Sequence, residues 1–117
     1  MRAFWNTYAL SIFPDVNCFT EWAQALGKPG DLALAISTSG NSPNVVKAVE
    51  TAREMGIRTV ALTGGTVRPG GALGPLVDLL LNVPADSTPH IQETHIWVEH
   101  VVCELVEREM FGDSRAA

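Results

Sequence analysis

The sequence predicts an α/β fold, with a small parallel sheet flanked by helices. Short apolar runs alternate along the chain with segments of helical period, which implies parallel strands joined by crossover helices. The runs are continuously apolar rather than alternating, as expected of strands covered on both faces. Glycines and prolines fall between the segments, where the chain must turn.

The first clear element is a helix over residues 17–26, with Phe19, Trp22, Ala23 and Leu26 at helical spacing. Gly27 and the Pro29-Gly30 pair stop it. Leu32 to Ile36 reads as a buried strand, followed by the polar loop Ser37-Thr38-Ser39-Gly40-Asn41-Ser42. Pro43 suits a first helical position with Ser42 as its cap. Val45, Val46, Val49, Ala52 and Met55 continue that helix, and Gly56 ends it. Thr59 to Leu62 is a second strand and Leu79 to Val83 a third, separated by a loop with Gly64, Gly65, Gly70 and Gly71. A short helical turn is expected near Leu73 to Leu76. Ser87 or Thr88 caps a last helix that runs to about Met110, roughly 30 Å long. Tyr8 to Ile12 is a candidate fourth strand. Three clear strands are few for such a sheet, so the N-terminal part reads as missing, or a partner covers the open edge.

The 117 residues are one small domain's worth, and 46% hydrophobic content fits a packed core. A net charge of -5 with scattered basic residues argues against direct nucleic-acid binding. The apolar opening of the chain is interrupted by Asn6 and Thr7 and lacks a cleavage pattern, so it does not read as a signal peptide. No stretch is long enough to span a membrane. Cys18 and Cys103 lie in separate helical segments without metal-type spacing. They are expected to be buried free thiols, which places the protein in a reducing compartment, the cytoplasm.

Two segments carry chemistry. The Ser37–Ser42 loop joins the carboxyl end of a strand to a helix N-terminus. Ligands collect there in α/β sheets, and unpaired N–H groups with the helix dipole favour a phosphate. Ser37, Thr38, Ser39 and Ser42 add hydroxyl donors. The same residue types also build an ordinary capped turn, and the residues alone leave both readings open. In the last helix, Gln92, Ile96 and His100 form one row, and Glu93 falls near it, while His95 points away. A Gln or Glu and a His on one face suit proton transfer or metal binding. A helical His among valines is equally an ordinary half-buried side chain.

The run Ala35-Ile36-Ser37-Thr38-Ser39-Gly40-Asn41-Ser42, followed by Asn44-Val45-Val46-Lys47-Ala48, resembles the signature of the SIS (sugar isomerase) domain. It is most similar to the phosphoheptose isomerase branch. The similarity continues through Gly56 to Gly64, Val83-Pro84 and Ile91-Gln92-Glu93-Thr94-His95.

The resemblance implies an SIS-type doubly wound, flavodoxin-like fold. It implies Ser37, Thr38, Ser39 and Ser42 as sugar-phosphate binders. It implies Gln92 and His100 as active-site residues, with His100 an acid/base group and both as zinc ligands in some members. It further implies a homo-oligomer, commonly a tetramer. The activity it implies is conversion of sedoheptulose 7-phosphate to D-glycero-D-manno-heptose 7-phosphate.

Two departures bear on that activity. Pro89 stands where the family often has an Asp, and nothing in residues 1–15 resembles the family's N-terminal helices with their catalytic Glu and His. The alternative is therefore a non-catalytic phosphosugar-binding or protein-interaction module, as in SIS proteins that associate with the replication initiator DnaA or serve transcriptional regulators. On this reading residues 1–16 are unassigned, 17–112 form the phosphosugar-binding domain, and 113–117 are a disordered tail.

Overall fold

The computed structural model describes residues 17–112. The segment 1–16, with its candidate strand at Tyr8 to Ile12, and the tail 113–117 lie outside the described residues. Six elements follow in order: α1 (Cys18–Leu26), β1 (Leu32–Ile36), α2 (Pro43–Glu54), β2 (Arg58–Gly64), β3 (Leu79–Val83) and α3 (Thr88–Phe111). The strands form one parallel sheet in the order β1-β2-β3. The expected order of elements is the one observed.

Register decides what each face of the sheet carries, because directly paired residues point the same way. Ala35 pairs with Ala61, and Ala61 with Leu80. That row packs with Val45 and Val49 of α2 and with Leu73 from the β2–β3 connection, while Phe19 of α1 closes the cluster from outside. Small alanines on the strands let α2 approach closely. The β2–β3 crossover, residues 65–78, has no full helix. A turn at Leu73–Leu76 is closed by Leu76 N–H donating to Leu73 at 2.9 Å, and it places Leu73 completely out of solvent.

The opposite face carries Leu32, Leu34 and Ile36 of β1, Val60 and Leu62 of β2, and Leu79 and Leu81 of β3. Among the described elements, only α3 packs there, against β2 and β3 near their carboxyl ends. Leu62 is buried, but Leu34 is 50% exposed and Leu79 53%. The expectation that β1 is covered on both faces is therefore wrong for the described residues. The apolar run recorded a face that no described element covers.

Two further expectations need correction. Cys103 is an exposed free thiol, not a buried one. It lies on the stretch of α3 beyond the sheet, where Val101, Val102 and Leu105 are also exposed. On α1, Phe19 and Thr20 turn inward, whereas Trp22 and Leu26 remain exposed. Among the described residues, no helix is long and apolar enough to cross a membrane.

Candidate functional site

The Ser37–Ser42 loop leaves β1 after Ser37 N–H donates to Leu62, the last step of the β1–β2 ladder. It then curls over the N-terminus of α2. Ser42 is the N-cap of α2, yet its hydroxyl makes no capping bond. Instead Ser37 Oγ and Ser42 Oγ lie 2.8 Å apart and close the loop across its base. Ser39 Oγ accepts the Asn41 N–H at 3.1 Å, which leaves the Ser39 hydroxyl proton free for a ligand. Asn44 Oδ1 takes the Val45 N–H. Among the described residues, no acceptor takes the N–H groups of Thr38, Ser39, Ser42 or Asn44. Four backbone N–H groups without an acceptor thus lie at the positive end of a helix, where an anion can be bound. Ser37, Thr38, Ser39 and Ser42 share one loop, with Ser37 and Ser42 closing its base and Thr38 and Ser39 facing the adjoining cavity.

A second loop forms the facing wall. Residues 65–73 are tied to the first loop at two points. Ala72 N–H donates to Asn41 Oδ1 at 2.9 Å, and Leu73 N–H donates to the Gly40 carbonyl at 3.0 Å. The backbones touch so closely that a Cβ on Gly40 would lie 2.1 Å from the Gly70 carbonyl oxygen. Asn82 of β3 anchors the same loop, accepting from Thr63 Oγ1 and Gly70 N–H and donating to the Gly65 carbonyl, each at 3.0 Å. Asp86 holds its start, accepting the Thr66 hydroxyl at 2.6 Å and the Thr66 N–H at 3.0 Å. The Thr66 hydroxyl, and next its N–H, hold the Asp86 carboxyl below its ordinary value of 3.8.

Between the two loops lies a cavity lined by Thr38, Ser39, Gly64, Gly65, Val67, Arg68, Ala85, Asp86, Thr88 and Ile91. Nothing local in the sequence marks Arg68 or Asp86 as lining a cavity. The only hint was the glycine-rich composition of residues 64–71.

The two site residues expected on α3, Gln92 and His100, fall elsewhere. Ile91 meets Gly64, and buried His95 approaches the Thr63 carbonyl with Nε2 at 2.9 Å, so these two dock α3 on β2. Accepting that bond from the Nε2–H leaves Nδ1 buried without a partner among the described residues. Gln92 and His100 lie on the exposed side of α3, and neither lines the cavity. Their positions are about 12 Å apart along the helix axis.

A catalytic zinc takes three protein ligands. Among the described residues, no three His, Cys, Asp or Glu side chains are grouped to hold a metal ion. Gln92 and His100 alone do not complete such a site.

The comparisons with known proteins agree on one relationship. A family model for the SIS domain matches residues 17–64. The phosphoheptose isomerase of Akkermansia muciniphila is 53% identical over 94 residues, covering 80% of this chain and 48% of its own length. That of Sulfurimonas denitrificans is 46% identical over 97 residues, covering 83% and 48%. The solved phosphoheptose isomerase of Neisseria gonorrhoeae superposes with a TM-score of 0.75 at 40% identity, over 86% of this chain and 58% of that one. The chain spans about half the length of the curated relatives it matches.

Proposed function

We propose that this chain carries an SIS domain of the phosphoheptose isomerase branch, as its similarities suggest, and that it binds a sugar phosphate in the cavity between its two loops. The observation that carries the reading is the cradle itself. The free N–H groups of Thr38, Ser39, Ser42 and Asn44 converge with the Ser37, Thr38, Ser39 and Ser42 hydroxyls at the start of α2. The phosphate sits on the 37–42 loop, and the sugar extends toward Gly64, Gly65 and Thr88.

The substrate of the family reaction is sedoheptulose 7-phosphate, and D-glycero-D-manno-heptose 7-phosphate is its product. In that reaction a base removes the proton beside the carbonyl, and an acid protonates the enediol. His100 is the residue offered for one of these roles, with Gln92 as a substrate contact. The chain assembles as a homo-oligomer, which the uncovered apolar sheet face favours.

One observation favours the second reading, a phosphosugar-binding or interaction module without turnover. His100 and Gln92 lie on the exposed side of α3, and neither lines the cavity. Calorimetric titration with sedoheptulose 7-phosphate and with unphosphorylated sedoheptulose tests the binding. Binding of the phosphate ester alone, lost in Ser39→Ala/Ser42→Ala, is expected, and equal binding of both sugars would sink the reading. An aldose-forming assay with the wild type and His100→Ala separates the two functions. Turnover abolished by His100→Ala establishes catalysis, and its absence in a chain that binds leaves the module.

A further inference from the structure

The phosphate cradle has hydroxyls and N–H groups but no side-chain charge, and a phosphate ester carries close to two negative charges at neutral pH. The helix N-terminus offsets only about half a charge. The facing loop carries the one cation on the cavity wall, Arg68. The geometry points to Arg68 as a second anchor for the substrate's phosphate, an inference that rests on the proposed sugar-phosphate site.

Three observations support it. First, Arg68 lines the same cavity as Thr38 and Ser39. Second, the described residues offer its guanidinium no ion pair or hydrogen bond. The one carboxylate on the cavity wall, Asp86, is engaged at both oxygens by Thr66. Third, the loop that carries it is fixed to the cradle. Asn41 bonds Ala72 on one side and the Ser39 carbonyl on the other, at 2.9 and 3.1 Å. Gly71 N–H closes a turn back to the Arg68 carbonyl at 3.1 Å. The same polar anchors therefore position Arg68 and the Ser39 hydroxyl relative to each other. Guanidinium is suited to the task because its planar fork engages two phosphate oxygens at once. Asp86 sits on the same wall as a fixed negative charge, so it disfavours a phosphate placed at the Thr66 end and leaves the cradle end to it.

The test is titration of the full chain with sedoheptulose 7-phosphate, inorganic phosphate and unphosphorylated sedoheptulose. The proteins compared are the wild type, Arg68→Ala, Arg68→Lys and Ser39→Ala/Ser42→Ala. Arg68 is exposed, and circular dichroism and the urea midpoint are expected to be unchanged in its variants. Arg68→Ala is expected to weaken both phosphate ligands on the order of tenfold at low salt. Arg68→Lys should recover part of that, and the salt dependence of binding should flatten in Arg68→Ala. Unchanged affinity in Arg68→Ala, while the double serine variant loses binding, overturns this inference and leaves the proposed function standing. A loss confined to the sugar portion, seen equally with unphosphorylated sedoheptulose, also overturns it. Failure of the folded wild type to bind any of the three ligands removes both.

Discussion

Gly40 shows how one missing side chain sets the site. Its φ is +67°, and an added Cβ would strike the Gly70 carbonyl oxygen at 2.1 Å. A left-handed residue with a Cβ costs roughly 1–2 kcal/mol, and overpacking against backbone about 1–3 kcal/mol more. Gly40→Ala should therefore lower stability by about 2–5 kcal/mol in urea denaturation and part the two loops. Gly30 is the control: its φ is +94°, but nothing lies within 4 Å of its added Cβ. Gly30→Ala should cost only the conformational part. Equal losses in the two variants would mean that the loop contact contributes nothing.

Asp86 makes a prediction in pH. The Thr66 hydroxyl and N–H lower its folded-state pKa below the ordinary 3.8. A depressed carboxylate contributes stability above its unfolded value and loses it as pH falls through the folded value. The wild type's advantage over Asp86→Asn in urea midpoint should stay constant from neutral pH down to about 3.8 and close at lower pH. An advantage that widens in acid would show that the carboxylate is not the acceptor for Thr66.

At the scale of elements, the docking of α3 turns on one contact. Gly64 belongs to the sheet face opposite α2, and a Cβ there would lie 2.4 to 2.8 Å from three carbons of Ile91. All three belong to one branched, buried side chain, so no rotamer change clears the clash. Gly64→Ala should destabilise the fold by about 1–3 kcal/mol. Ile91→Ala in the same chain should return part of it, because the new methyl occupies the vacated space. Thermal unfolding of the two singles and the double measures the coupling. Strict additivity would place α3 elsewhere than on β2. His95 reinforces the contact from one turn further along α3, through the Thr63 carbonyl. That contact explains why the buried histidine of this helix is structural while His100 is exposed.

At the scale of the whole molecule, the dominant feature among the described residues is their exposed apolar surface. Leu34 and Leu79 on the sheet, and Ile96, Trp97 and Leu105 on α3, are each at least half exposed. Apolar surface this extensive is characteristic of interaction sites. The proposed homo-oligomer covers it, so light scattering at micromolar concentration should give a mass above that of one 12.6 kDa chain. Leu34→Lys combined with Leu105→Lys should reduce that mass toward the monomer. A wild type that is monomeric and unfolds cooperatively would count against assembly.

How far the sequence reached follows from the range of the forces involved. Periodicity, caps and turn residues act within a few positions. They were enough to mark Leu32–Ile36 and Leu79–Val83 as strands, Ser42 and Pro43 as the start of a helix, and Ser37–Ser42 as the strand-to-helix loop. The parallel order was expected from the alternation of apolar runs and helical segments, because parallel neighbours need a long crossover rather than a tight turn.

Contacts between distant parts of the chain decided the rest. Helical spacing put His95 and His100 on different faces, but only the seating of Ile91 against Gly64 determined which face met the sheet. An apolar run looks the same whether or not something covers it, so the exposure of Leu34 was not legible in Leu32–Ile36. The second wall of the site was hidden for the same reason. The loop that carries Arg68 is tied to the Ser37–Ser42 loop because Asn41 bonds Ala72, 31 positions away, and Asn82 and Asp86 hold it in place. No local pattern encodes such a bond, because its donor and acceptor meet only once the sheet has formed.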